Sequence, residues 1–89
     1  MKTESLTLNQ LRVGERLTVG TVCGEDAMKR RLEDLGVVEG TRIACLMKSP
    51  LGDPTAYLIR GAVIALRAKD AQRIVGAKVL EERESDVWE

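Results

Sequence analysis

The sequence predicts a mainly β domain rolled into a small barrel of about five strands, with one short α-helix over 26–35 and a helical turn near 69–73. Three observations carry this. Short aliphatic runs that alternate in and out are separated by Gly and Pro turn signals, one stretch alone repeats with helical spacing, and no loop is long. At 89 residues the chain is a single small domain, of a size that buries only about 60–65% of the surface its unfolded form exposes. With aromatics at 2% and no Phe, the core falls to Val, Ile, Leu, Ala and Met.

Taken in order, Leu6, Leu8, Leu11 and Val13 form an apolar opening interrupted by Asn9-Gln10, and Gly14-Glu15 turns the chain into Arg16–Cys23. In that run Leu17, Val19, Thr21 and Cys23 share the face expected to be buried, and Gly20 marks a bulge or sharp bend. Asp26 is the expected N-cap of the helix. Met28, Leu32 and Leu35 recur at i, i+4 and i+7 and form its core stripe. Gly36 takes the left-handed position after the last turn, with Val37 folding back on Leu32. Gly40 makes the next turn, and Thr41–Lys48 reads as a strand with Ile43, Cys45 and Met47 on one face and Ala44 and Leu46 on the other. Apolar residues on both faces imply that something covers the second one.

Ser49-Pro50-Leu51-Gly52-Asp53-Pro54 is a turn by its chemistry, with apolar Leu51 at its tip and Asp53 placed to bond the backbone ahead of it. Tyr57-Leu58-Ile59, Arg60-Gly61 and Ala62–Leu66 read as a tight hairpin, and Ile74–Leu80 as a closing strand. Gly36, Gly40, Gly52, Asp53, Pro54 and Gly61 therefore hold backbone shape. Residues 1–80 make the domain. Residues 81–89 read as an acidic, disordered tail, in which Trp88 is either a docking aromatic or part of a frayed end.

Charge is balanced overall but not along the chain. From Ala27 to Lys78 there are ten basic and five acidic residues, against one basic and five acidic from Val79 to Glu89. No apolar run is long enough to span a bilayer and the polar start lacks a signal-peptide core, so a cytoplasmic protein is expected. With no histidine, no cysteine beside a base and no GxxxxGK[ST] loop, the sequence predicts no enzyme. Cys23 and Cys45 lie outside any CxxC pattern and read as free, buried thiols. They are also the only soft ligands that could meet across a barrel, so direct Fe(II) or Zn(II) binding, if present, is weak and no resident cofactor is expected.

The leucine-rich opening with its glycine, Arg30-Arg31-Leu32-Glu33-Asp34-Leu35-Gly36 followed by Gly40-Thr41, Pro50-Leu51-Gly52-Asp53-Pro54, and Ile59-Arg60-Gly61 running into Ala65-Leu66-Arg67 and Asp70-Ala71 together resemble the FeoA-like family. The match covers roughly residues 5–80. It implies an SH3-like barrel and a cytoplasmic accessory of bacterial ferrous iron uptake, acting beside the membrane transporter FeoB, which carries a GTP-binding domain. A related barrel forms the C-terminal domain of iron-dependent repressors. Glu39 departs from the proline common before the turn glycine in that family, and the acidic tail lies outside its usual pattern.

The expected role is a protein-interaction module whose partner is the FeoB transporter, reached at the membrane only through that partner, with Arg30, Leu46 and Leu51 as contact residues. Self-association through the same face is open. A metal-sensing or nucleic-acid-binding module is the alternative, since small barrels often bind RNA or DNA. Nucleic acid is not the expected partner, because only Tyr57 offers a stacking ring within the barrel.

Overall fold

A computed structural model describes residues 5–79, so the readings of residues 81–89 and of Trp88 lie outside the described residues. Six strands, β1 (Ser5–Thr7), β2 (Arg16–Val22), β3 (Arg42–Lys48), β4 (Thr55–Ile59), β5 (Ala62–Leu66) and β6 (Ile74–Lys78), form one antiparallel sheet in the order β1-β6-β2-β3-β4-β5. Helix α1 (Asp26–Asp34) joins β2 to β3, and the single turn α2 (Ala68–Ala71) joins β5 to β6. The sheet has six strands, one more than the sequence suggested, because Ser5–Thr7 pairs with β6. The Asn9-Gln10 interruption is a 3-10 turn, Leu8–Gln10, tied by the Thr7 N–H donating to Gln10 Oε1 at 2.8 Å.

No ladder joins β5 to β1 among the described residues, so the small barrel is a strongly curled sheet with two edges. In place of a ladder, α2 packs against the 3-10 turn and brings the chain after β5 to the chain after β1. A second clamp sits at the end of β6, where Lys78 Nζ lies 2.8 Å from Glu15 Oε2. That lysine, and then the Arg12 N–H bonded to the same carboxylate, hold Glu15 below its ordinary pKa.

Inside the curl Leu8, Leu11, Leu17, Val19, Leu32, Val37, Ile43, Tyr57, Ile59 and Ile74 are closed off from solvent. The β2 ladder to β6 shifts register between Val19 and Thr21, around Gly20. This shift reverses the parity of the strand, burying Val22 and turning Thr21 and Cys23 outward. The bulge is therefore where the sequence placed it, but Cys23 is exposed rather than buried. Beside the bulge, Gly76 of β6 runs so close to β2 that a Cβ would land on the Thr18 carbonyl oxygen.

Helix α1 begins one residue earlier at its cap than expected, with Glu25 at the N-cap and Asp26 in its first turn, where an acidic side chain suits the helix dipole. At the other end the Val37 N–H donates to Leu32 O at 3.0 Å and the Gly36 N–H to Glu33 O at 2.9 Å, with Gly36 at φ 99°. That is the Schellman pattern, and the buried Leu32 and Val37 supply its apolar contact. Met28 packs on the core as expected, but Leu35, in the C-cap residue, is left exposed. Glu39 occupies the second position of a turn closed by Thr41 N–H to Val38 O at 3.0 Å, with Gly40 at φ 91° in the third. A type II turn of this kind also accepts proline at that second position, so the departure at Glu39 leaves the turn type unchanged.

Two measurements test this architecture. Gly76→Ala is expected to lower unfolding stability by about 1–3 kcal/mol or more, since backbone must move to admit the methyl group; a urea midpoint equal to wild type would contradict the close approach. Burial, first of all, lifts the Tyr57 phenol from its ordinary value near 10 to about 12. Folding thus favours the neutral phenol, and this contribution is complete below pH 10 and lost as pH rises from about 10 to 12. As the only tyrosine, its phenolate absorbance should rise near pH 12 in the folded chain. A midpoint near 10 with the fold intact would refute the burial.

Candidate protein-docking face

The outer face of β3, β4 and β5 is built by register. Ala44 stands opposite Leu58, and Leu58 opposite Val63. In the next outward-facing row Met47 stands opposite Ala56, and Ala56 opposite Ala65. Cys45, Tyr57 and Ile64 fill the inward row between them. Side chains of neighbouring strands on one face lie within contact distance, so these six aliphatic residues form one surface. Its exposure is large: 38% at Leu58, 60% at Met47 and 66% at Val63.

A second irregularity explains Met47. The β3 ladder to β4 shifts between Cys45 and Met47, so Leu46 is the extra residue and Met47 turns outward instead of joining Ile43 and Cys45 in the core. Leu46 itself is 38% exposed. The loop after β3 carries Leu51 at 92% exposure, on a turn closed by the Gly52 N–H to Ser49 O at 2.7 Å. Asp53 departs from expectation, because its Oδ1 accepts from the Ala68 N–H at 2.8 Å, fifteen residues on. It thereby ties the loop to α2. Gly52 and Gly61 adopt positive φ, and in the β4–β5 hairpin Arg60 does so too, at 50°, as a two-residue turn with the twist of the strands requires.

Of the contact residues expected from sequence, Leu46 lies on β3 and Leu51 on the loop that follows it, both exposed. Arg30 stands exposed on α1, a separate element. Leu58, Val63 and the outward turn of Met47 were missed; the Leu58/Val63 pairing was implicit in the two-residue hairpin, whereas the bulge at Leu46 has no local signature. Cations flank the strands of the face: Arg42 precedes Ala44 by two residues on β3, Lys48 ends β3, and Arg67 follows β5, whereas the Arg60 side chain lies over Gly36.

Cys23 and Cys45 are not brought together. The Cys45 N–H bonds Glu15 O at 2.9 Å, before β2 begins, while Cys23 follows the far end of β2 and bonds Arg73 O at 2.7 Å. Seven residues of strand separate the two positions, on the order of 20 Å even with the bulge. Among the described residues no group of three or more His, Cys, Asp or Glu is placed to hold a metal ion, and no helix is long and apolar enough to cross a membrane.

A small curled antiparallel sheet with an apolar flank and a single helix between its second and third strands defines an SH3-like β-barrel protein. The chain belongs to the FeoA domain family, whose model matches residues 6–78. It is 30% identical over 69 residues to an Fe(2+) transport protein A/Fe(2+) transporter FeoB fusion protein of Porphyromonas gingivalis. That alignment takes in 78% of this chain but only 8% of the fusion protein. The NMR structure of an FeoA-like protein from Clostridium acetobutylicum superposes with a TM-score of 0.81 at 31% identity, covering 94% of this chain and 96% of that one. Stenotrophomonas maltophilia FeoA, crystallised in complex with zinc and described as an SH3 domain protein, gives a TM-score of 0.68 at 32% identity, covering 78% of this chain and 86% of its own.

The cysteine geometry yields a direct check. Burial pushes the Cys45 thiol pKa up, whereas Cys23 is open to solvent. A chromogenic disulfide reagent at neutral pH is expected to react rapidly with one thiol per chain, and with the second only after denaturant is added. Rapid reaction of both, or loss of the fast phase in Cys45→Ser, would be incompatible with these positions.

Proposed function

We propose that this protein is a cytoplasmic accessory of bacterial ferrous iron uptake, working as a non-catalytic module that docks on a FeoB-type transporter or its GTP-binding domain. The observation that carries this reading is the uncovered aliphatic face of β3, β4 and β5 with Leu46 and Leu51 at its margin. Contact centres of protein interfaces are apolar and poor in charge, with polar rims, and the cations around this face supply such a rim. Support for the choice of partner comes from the Porphyromonas gingivalis relative, in which the two components share one polypeptide. A fused arrangement makes their meeting intramolecular and raises its effective concentration.

The reading needs neither nucleic acid nor a resident metal. Tyr57, the ring that would have to stack a base, is 1% exposed and lies inside the curl. Single-stranded binders place such rings on the surface. A metal shared by Cys23 and Cys45 would have to span the length of β2, so the proposed module uses no cofactor.

Leu46→Glu introduces a charge into the proposed contact and is expected to weaken binding to the purified cytoplasmic domain of the cognate transporter by at least about tenfold. Its circular dichroism spectrum should match wild type, because Leu46 is not in the core. Unchanged affinity in both Leu46→Glu and Val63→Glu would place the partner elsewhere.

A further inference from the structure

Two stretches singled out in the sequence, 30–36 and 65–71, come together in a cleft of about 350 Å³ between α1, the end of β5 and α2. Each side is fixed by what it buries. On α1, Arg31 follows Met28 by three residues and so lies on the same side of the helix, next to the core stripe. On the other side Leu66 and Ala71 are anchored in the core, and the turn between them is closed by the Asp70 and Ala71 N–H groups donating to Arg67 O at 2.9 Å. That turn sets Arg67 and Lys69, both exposed, into the lining of the cleft.

The charges within this cleft do not cancel. Arg31, Arg67 and Lys69 line it against one carboxylate, Asp70, which leaves an excess of two positive charges. The Asp70 side chain, 9% exposed, faces Arg31 at 3.9 Å, while Arg31, at 59%, keeps most of its length in solvent. Asp53, the carboxylate bonded to the first turn of α2, is already engaged by the Ala68 N–H. Among the described residues neither the Arg67 nor the Lys69 side chain has an ion-pair or hydrogen-bond partner. Cations gathered around one cleft repel each other, and an anion set among them relieves that repulsion. A phosphate monoester carries about two negative charges at neutral pH and offers three acceptor oxygens, one for each cation. Guanidinium forks suit those oxygens in pairs, and a lysine adds a point charge. Met28, Ala65 and Leu66 give the cleft an apolar wall as well, and its volume falls in the range of small-molecule sites, roughly 300–1,000 Å³.

We propose that this cleft binds the phosphate of a small soluble phosphate monoester, with Arg31, Arg67 and Lys69 donating to its oxygens and the carbon part of the ester against Met28, Ala65 and Leu66. The site does not rest on the docking proposed above, and its test involves no transporter.

Phenyl phosphate is the probe, titrated into the isotope-labelled full chain at constant ionic strength and followed by amide chemical shifts. Saturable shifts are expected at Arg31 and at residues 65–70, with inorganic phosphate binding several-fold more weakly. Arg67→Gln and Lys69→Gln, at exposed positions, should each weaken binding by about tenfold, the effect of losing one hydrogen bond to a charged group. Arg42→Gln, on β3 and outside the cleft, should leave it unchanged. The spectra of the free variants report whether each is folded. Absence of saturable shifts in the wild-type chain overturns the proposal, and so does equal weakening by Arg42→Gln, which would assign the effect to the net charge of the surface. Vesicles of phosphatidylcholine and phosphatidic acid provide the remaining arm. Binding to them that Arg67→Gln abolishes, in a chain that ignores phenyl phosphate, would place the phosphate on a lipid and overturn the soluble ligand.

Discussion

The rest of the structure depends on how near β2 and β6 come to each other at Gly76. There the Thr18 carbonyl occupies the space that a side chain of β6 would take, so the two backbones are in contact. Together with the register shift around Gly20, this draws the sheet into a tight curl in the middle of its strand order. A flat sheet of the same strands would need a second layer over its inner face. Helix α1 fully buries only Leu32 and cannot provide that layer. Curling the sheet on itself lets Leu17, Val19, Ile43, Ile59 and Ile74 cover one another, which is how a core without phenylalanine is closed.

A curl this tight places its demands on the joints. The loop after β3 is held by its own turn and by Asp53 reaching Ala68, so the end of β3, the start of β4 and the chain after β5 are tied together. The hairpin between β4 and β5 turns in two residues with both φ angles positive. Gly36, beneath the Arg60 side chain, ends α1 beside that hairpin. A surface laid across three strands braced in this way loses little conformational freedom on meeting a partner, which is the condition for small aliphatic contacts to add up.

Much of this was legible because it is local. Stopping α1 at Gly36, turning at Arg60-Gly61 and bulging at Gly20 each require residue types that stand next to one another in sequence. Less legible were the consequences of an inserted residue. Alternation predicts faces only until the ladder slips, and after Gly20 it assigned Cys23 to the core, just as after Cys45 it assigned Met47 there. Contacts between distant segments left no local trace at all: the pairing of Ser5–Thr7 with β6, the bond from Asp53 to Ala68, and the burden on Gly76, which in sequence looks like any glycine within a strand. For the candidate face, Leu46 and Leu51 were visible as apolar residues without a local reason. Leu58 and Val63 gained meaning only once strand pairing set them side by side.

Strand β5 bears on how such a face can be used. It is an edge of the sheet, and an open edge invites pairing with any extended chain. Here the edge is five residues long, with Arg60 before it and Arg67 after it. Short length and flanking charge are the usual means of discouraging strand addition. The adjoining face has the opposite character, since Val63 and Ala65 turn outward without a charge between them on the strand. In the docking proposed above, recognition at this end of the molecule would therefore be directed to side chains presented across the three strands and away from the backbone of the edge. A partner that reads side chains in this way is selected by the shape of its apolar surface, and the bordering cations favour one whose margin is acidic.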